Sequence, residues 1–371
     1  MISFISVFPP YRGGISNFSD YLYTHLSKSR EVVPINFKLL YPDILFPGAT
    51  QFQENAVKEY AERQLHSCNP LNWNRTGKRI GLTSPDVLMF SYWHPFFIPA
   101  YNRIIKKVKK LSPTTKVCTI AHNVSPHEGF PFSGQLMKSF FGNNDLVVTL
   151  SNQTEKEFKK LDTSTECLKL FHPVYERAFP KQPVQKLREE YSLKKDEQVP
   201  LFFGLIREYK GLDILIKSLN KIDLKALKIR PFIVGEFYTD KNKYLDLINE
   251  DHKDQYVVID RFVSQKEANE IFTLSDALIL PYKSASQSGV FNDALNFNLP
   301  AIVSDKPGLI EHLTHKETGL IFESENVEEL QNLLLDFFTN HQLRAQISSN
   351  LEHLKADLSW DNFTSKLTLH L

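Results

Sequence analysis

Residues 277–304, ALILPYKSASQSGVFNDALNFNLPAIVS, contain two short apolar runs separated by a turn of small residues and a helical pattern. The runs Ala277–Pro281 and Ala301–Ser304 are apolar throughout, which is typical of strands buried on both faces of a parallel sheet. A strand–helix–strand unit of this kind predicts an α/β fold. The turn itself, SASQSGVFND (284–293), has more small residues than a simple cap needs, which raises the question of a bound anion.

The same alternation of apolar runs and helical patterns extends along the chain. Helices are predicted at Leu212–Asn220, Gln265–Thr273 and Val327–Phe338. Further strands are predicted at Ile2–Phe8, Val32–Phe37, Val87–Ser91, Lys116–Ala121, Leu146–Leu150, Leu201–Gly204, Pro231–Gly235, Tyr256–Asp260 and Gly319–Phe322.

The pattern restarts once, which predicts two domains. The segment 173–200 is polar and holds four of the 20 prolines, so we interpret it as the interdomain connection with one short helix. We therefore expect domains at 1–178 and 179–357, each a doubly wound parallel sheet. Ligands of such sheets bind beyond the carboxyl ends of the strands.

Composition excludes several classes of protein. Forty-two percent hydrophobic and 23% charged residues in 371 are typical of a globular protein with a large core. A net charge of +1 argues against broad nucleic-acid binding. Three distant cysteines indicate a reducing compartment, and the start MISFISVFPPYRGG is a buried strand rather than a signal peptide. We expect a cytoplasmic protein.

Two motifs follow predicted strands of the first half. Gly13 and Gly14 open a helix and suit a phosphate, although a glycine pair is also typical of a simple tight turn. The second motif places polar residues after strand Lys116–Ala121, where His122 could bond a substrate hydroxyl or be a structural histidine. Its other members are Asn123, His127 and Glu128, of which Glu128 could equally be a loop charge. No HExxH spacing is present, which argues against zinc, and no metal is expected because no Asp-x-Asp follows a predicted strand.

Two further motifs follow strands of the second half. After the strand ending at Gly204, Arg207 and Lys210 could hold a pyrophosphate, or belong to a solvated surface loop. The small-residue turn would present backbone N–H groups at a helix N-terminus. Asp293 lies one helical turn after Gly289, on the same face, where it could bind a ribose or simply favour the helix dipole. The turn residues proposed to contact the anion are Gln287, Ser288, Gly289 and Val290.

The ordered series PPYRGGISNF (9–18), HNVSPHE (122–128), SNQTEKEF (151–158), GLIREYKGLDILI (204–216) and TGLIF (318–322) resembles retaining glycosyltransferases of family four, of bacterial polysaccharide type. The resemblance covers essentially the whole chain. It implies the GT-B fold, in which two Rossmann-like domains enclose a cleft and a final helix, here 358–371, packs back on the first domain.

The resemblance also implies roles for individual residues. Gly13 and Gly14 would lie near the donor phosphates, His122 would contact the transferred sugar, and Arg207 with Lys210 would bind the diphosphate. Asn123, His127 and Glu128 are assigned to the acceptor side. The catalytic residues would be His122, Arg207 and Lys210.

The chain departs from the family at the ribose and sugar motif. Asp293 aligns with the second glutamate of a Glu–seven residues–Glu motif, while the first glutamate falls on Ala285. We expect Gln287 and the N–H groups of Ser288 to Val290 to replace it. The family's arginine follows the strand-ending glycine directly, whereas Arg207 comes later after Gly204.

The function expected from these features is transfer of a sugar from a nucleoside-diphosphate sugar to a saccharide hydroxyl, with no metal or other cofactor. The basic helix 101–111 could rest on an anionic membrane and serve a lipid-linked acceptor, or be an ordinary solvated face. Alternatives are a phosphorylase or nucleotide-sugar epimerase on the same fold, and a catalytically silent sugar-nucleotide-binding homologue.

Overall fold

A computed structural model describes residues 1–42, 51–52, 60–124, 133–285 and 289–371 of the chain. These residues divide into two compact units. The amino-terminal unit consists of Met1–His172 with Trp360–Leu371, and the carboxyl-terminal unit consists of Pro173–Ser359. Each unit contains one parallel sheet with helices packed on it.

The sheet of the amino-terminal unit has the strand order β3-β2-β1-β4-β5-β6-β7. The order reverses between β1 and β4, as in a doubly wound fold. The inner strands β1, β4 and β6 are buried along their whole length, which explains why their sequences are mostly apolar and contain no charged residue. The strands are β1 Ile2–Ile5, β2 Val32–Leu39, β3 Glu62–His66, β4 Val87–Tyr92, β5 Lys116–Ala121, β6 Leu146–Thr149 and β7 Glu166–Lys169.

The sheet of the carboxyl-terminal unit has the order β10-β9-β8-β11-β12-β13. Strands β8 and β11 are parallel neighbours, with Leu201 beside Leu278, so the loops that follow them leave the same edge of the sheet. The order reverses between these two strands. They are β8 Pro200–Phe203, β9 Phe232–Val234, β10 Val257–Ile259, β11 Ala277–Leu280, β12 Ala301–Ser304 and β13 Leu320–Phe322.

Helices cover both sheets, and several begin at side-chain caps. Ser151, Ser264 and Asn326 accept backbone N–H bonds at the starts of α5, α9 and α12, as capping residues do. The helices are α1 Gly14–Leu26, α2 Pro70–Leu82, α3 Ile98–Leu111, α4 Ser133–Phe141, α5 Asn152–Lys159, α6 Val184–Glu190, α7 Leu212–Leu219, α8 Asn242–Leu245, α9 Gln265–Leu274, α10 Gly289–Asn296, α11 Pro307–Ile310, α12 Val327–Thr339, α13 His341–Asp357 and α14 Trp360–Thr368.

The last helix, α14, is part of the amino-terminal unit and packs on α1. Its Trp360 is 1% exposed. The indole stacks on Tyr21, with ring centroids 5.6 Å apart, and meets Phe18 edge-on at 5.0 Å. Phe363 packs edge-on against Phe18 and Phe171. These aromatic contacts hold α14 against α1 and against the segment that follows β7.

Every strand predicted from the sequence is present, with slightly different ends, and two strands were missed. The missed strands, β3 and β7, are the two edges of the first sheet and carry charged residues. Within the described ranges, no helix has both the length and the apolar content required to cross a membrane.

Candidate functional site

The loop after β8 is packed so closely that glycine is required at two positions. Gly204 and Gly235 have φ angles of 105° and 143°. A Cβ on Gly235 would lie 2.1 Å from the carbonyl oxygen of Gly204, which no side chain tolerates. The Gly204 N–H donates to the carbonyl of Val234 (2.9 Å). The carboxyl ends of β8 and β9 are thereby fixed against each other.

Lys210 projects into this loop from the 3₁₀ turn Glu208–Lys210. Its side chain is buried (8% exposed), and a Cβ on Gly204 would lie 2.9 Å from its Nζ. The ammonium lies 5.4 Å from the centre of the Tyr282 ring. Burial, together with the nearby charge of Arg207, lowers the pKa of Lys210 to about 8. Within the described part of the chain it has no carboxylate partner, which is an unusual state for a buried cation.

Arg207 is exposed and stands beside Lys210. Its guanidinium carbon lies 5.0 Å from the centre of the Tyr238 ring. Glu208, the acid between them in sequence, instead accepts a bond from Lys243 Nζ at 3.2 Å. Among the residues that the structure describes, Glu208 pairs with neither cation of the loop, which argues against the interpretation of this segment as a self-neutralised surface loop.

Helix α10 begins at the same place. Val290 Cγ2 would be 3.5 Å from a Cβ on Gly204, so the start of α10 reaches the β8 loop. Gly289 is exposed, with open space where its side chain would be. Free N–H groups at a helix N-terminus attract anions. Gln287 and Ser288, which we also assigned to the donor, lie outside the described residues.

Asp293 lies three residues after Val290, on the neighbouring turn of α10. Its Oδ1 accepts a bond from Arg177 Nε at 2.9 Å. Burial raises the pKa of Asp293, and the charge and hydrogen bond of Arg177 oppose that rise. The carboxylate predicted to bind a ribose is therefore held by a cation that the sequence analysis did not identify.

His122, a candidate residue of the amino-terminal unit, lies beside Phe18 of α1. The ring of His122 lies edge-on to Phe18, with centroids 4.7 Å apart, and the ring of His172 lies 5.5 Å from it. Burial, and secondarily His172, lowers the pKa of His122 to about 3, so the imidazole is neutral. Its buried Nε2 has no hydrogen-bond partner among the described residues.

The glycine pair and the acceptor residues are less constrained by the structure. Gly13 and Gly14 lie at the start of α1, with open space where each side chain would be. Asn123 follows His122 and is partly exposed. His127 and Glu128 lie outside the described residues.

Sequence reasoning missed Arg177, Tyr238 and Tyr282. The tyrosines have no motif of their own, although Tyr282 stands in the quoted stretch. Among the described residues, no group of three or more His, Cys, Asp or Glu side chains could hold a metal ion.

Comparison with known proteins identifies the carboxyl-terminal part of the chain. Residues 183–353 match the family described as glycosyl transferases group 1. These residues, a little less than half of the chain, are a group 1 glycosyltransferase domain. The protein is therefore a glycosyltransferase, and the prediction of that enzyme class is confirmed.

The similarity of the glycosyltransferase to known proteins also extends beyond this domain. N-acetyl-alpha-D-glucosaminyl L-malate synthase of Bacillus anthracis is 22% identical over 297 residues, which cover 78% of this chain and 74% of that protein. Anabaena Alr3699/HepE in complex with UDP is similar in structure, with a TM-score of 0.69 at 13% identity, and the match covers 100% of this chain and 98% of that one.

The lipopolysaccharide outer core galactosyltransferase WaaB, in its apo form, gives a TM-score of 0.69 at 15% identity over 100% of this chain and 99% of its own. At such identities the likeness establishes the fold. The glycosyltransferase has the GT-B fold with two Rossmann-like α/β domains, as predicted.

Proposed function

We propose that the protein transfers a sugar from a nucleoside-diphosphate sugar to a hydroxyl of a saccharide, with retention of the anomeric configuration. The main support for a nucleoside-diphosphate donor is Lys210, a buried cation without a carboxylate partner among the described residues. It lies beside Arg207 and the start of α10. A diphosphate supplies the missing negative charge. HepE, the structural neighbour that binds UDP, has the same fold.

Catalysis in this proposal is mainly electrostatic. Lys210, Arg207 and the N–H groups of α10 stabilise the charge that develops on the departing diphosphate, without a metal or other cofactor. His122 is neutral at physiological pH because of its lowered pKa, so it orients the sugar through a hydrogen bond rather than acting as an acid. Retention rests on the resemblance to glycosyltransferases of family four.

Titration calorimetry with UDP, GDP and ADP, and with their common sugar derivatives, tests the donor site. Lys210→Met should abolish or strongly weaken binding, whereas Lys217→Met should not, because Lys217 is half-exposed and already pairs with Asp213 at 3.5 Å. A bound diphosphate also raises the pKa of Lys210, so binding above pH 8 should take up a proton. Nucleotide binding that is unchanged in Lys210→Met would refute this donor site.

Turnover assays separate the transferase from the alternatives. Incubation of the donor with saccharide acceptors, with and without inorganic phosphate, should give a glycoside whose formation does not depend on phosphate, and EDTA should not inhibit. A sugar phosphate would indicate a phosphorylase, and an isomerised donor would indicate an epimerase. Binding without consumption of the donor would favour a silent homologue, for which Ala285 in place of glutamate is the main support.

We propose that the acceptor is a lipid-linked saccharide of cell-surface polysaccharide synthesis and that the enzyme works at the inner face of a membrane. The structural neighbour WaaB is a lipopolysaccharide galactosyltransferase. In this chain, α2 and α3 carry lysines and arginines and no acidic residue. Lys78, Lys106 and Lys110 are exposed, which suits contact with anionic lipid.

Co-sedimentation with vesicles tests the membrane contact. The protein should bind phosphatidylglycerol vesicles and not phosphatidylcholine vesicles, and Lys106→Glu with Lys110→Glu should reduce binding. Lys253→Glu, at an exposed lysine of the other unit, is the matched control and should leave vesicle binding unchanged. Equal binding to both lipids would refute the contact while leaving the sugar transfer intact.

A further inference from the structure

Arg177 and Asp293 form an ion pair, and separate hydrogen bonds hold the backbone around Arg177 in place. Arg177 Nε donates to Asp293 Oδ1 at 2.9 Å, and the two side chains are 22% and 24% exposed. The N–H of Arg177 donates to Asn296 Oδ1 at 3.1 Å, and its carbonyl accepts from Asn296 Nδ2 at 3.3 Å. Asn269 Nδ2 donates to the carbonyl of Ala178 at 2.9 Å. The arginine therefore stands on a segment that is fixed to α9 and α10.

The pair uses only part of its hydrogen-bonding capacity. Within the described chain, Asp293 Oδ2 accepts no hydrogen bond, and Arg177 Nη1 and Nη2 donate none. The carboxylate lies on the turn of α10 that follows Val290, the residue next to the β8 loop. One fixed acceptor and two spare donors thus lie close to the place proposed for the diphosphate.

We infer that Arg177 is a positioning residue that makes Asp293 selective for a ribose. It binds one carboxylate oxygen and so orients the other, Oδ2, toward a ribose hydroxyl. This inference rests on the proposed function, because it requires a nucleotide in the carboxyl-terminal unit. A fixed and partly buried acceptor is left unpaired when the hydroxyl is absent, which is why such a site discriminates against deoxyribose.

Electrostatics supports the same role. Burial raises the pKa of Asp293 and Arg177 opposes it, so loss of the guanidinium would protonate the carboxyl at a higher pH and remove the acceptor. The other charged groups nearby are Lys355 of α13, whose Nζ donates to the carbonyl of Asn296 at 2.5 Å, and Glu176, which acts on Lys355. Neither contributes to the shift of Asp293.

The experiment compares ribose selectivity among variants. Of UDP, GDP and ADP, the tightest-binding nucleotide and its 2′-deoxy and 3′-deoxy analogues are titrated by calorimetry between pH 5.5 and 8. Native protein should prefer the ribonucleotide by about 10- to 100-fold over at least one deoxy analogue. Arg177→Met should lose most of that preference and weaken further as the pH falls, while Arg177→Lys should restore part of it. Lys355→Met is the matched control and should keep the native preference.

Three outcomes separate the failure of this inference from that of the proposed function. If Asp293→Asn loses the ribose preference but Arg177→Met keeps it at every pH, Arg177 has no positioning role and the proposed function stands. If Asp293→Asn keeps the preference, the ribose contact itself is wrong, and the inference falls with it. If no nucleotide binds to native protein, the proposed function fails. Thermal unfolding shows whether both Arg177 variants are folded. If Arg177→Met is unfolded, the ribose preference of Arg177→Lys tests the positioning role instead.

Discussion

Replacing Lys210 by methionine should stabilise the protein at neutral pH while removing the proposed phosphate contact. Methionine keeps an unbranched, flexible side chain in the same space and eliminates the buried charge. A pKa lowered from 10.5 to about 8 corresponds to roughly 3 kcal/mol of penalty for the charged form in the folded state. The contact with Tyr282 offsets about 1 kcal/mol of this, so we expect a net gain of about 2 kcal/mol.

The pH dependence of this gain follows from the two pKa values. Below pH 8 Lys210 is charged in both the folded and unfolded states, and the native protein carries the full penalty. Between pH 8 and 10.5 the folded state has lost this proton and the unfolded state still holds it. The native protein therefore becomes more stable relative to the variant as the pH rises through that window, and above it the penalty is gone.

Hydrogen exchange of peptides from β8 and β9 measures the free energy of opening in the carboxyl-terminal unit. Peptide-level exchange is needed because the three tryptophans all lie outside this unit. Lys217→Met, a change at a half-exposed lysine, should alter stability by less than about 0.5 kcal/mol at any pH. A Lys210→Met protein that is less stable at pH 7, or whose advantage is the same at pH 7 and 10, would refute the reasoning.

Gly235→Ala should destabilise the carboxyl-terminal unit by several kcal/mol in hydrogen exchange, because its Cβ would lie 2.1 Å from a backbone oxygen; a neutral effect would mean that the β8 loop moves freely. Trp360→Ala should cost about 3–5 kcal/mol in urea unfolding of the amino-terminal unit, measured by circular dichroism, since the indole is 1% exposed. His122→Ala should lower kcat with little change in nucleotide Kd, and no ionisation of His122 should appear in the rate between pH 5 and 8, because its pKa is about 3; an equal loss of nucleotide affinity would contradict this role.

The part of the fold that the sequence predicts is the part buried on both faces. Strands such as β4, VLMFSY, are buried at every position and contain no charged residue. The edge strands β3, ERQLH, and β7, ECLK, escaped prediction because an edge has one side in solvent and tolerates charges. Their existence depends on pairing with a neighbour rather than on their own composition.

The candidate site was predictable where it follows a strand and unpredictable where it depends on distant residues. Arg207 and Lys210 could be found because the carboxyl ends of parallel strands place loops on one edge. The partner of Asp293 could not, because Arg177 is 116 residues away in the chain and stands in a segment without a motif. Likewise, nothing in the sequence places Tyr238 and Tyr282 beside the two cations.

Two structural costs of the carboxyl-terminal unit meet at the β8 loop. Gly204 and Gly235 adopt φ angles that other residues avoid, and Lys210 holds a charge that burial opposes. A chain selected for stability alone would have an apolar side chain at position 210, since unpaired buried charge is unfavourable. In the proposed function, an anion in the loop would pair with the ammonium of Lys210 and use the close backbone approach that glycine permits. The same reasoning explains why Glu208 is turned toward Lys243, since a carboxylate beside Lys210 would compete with that anion.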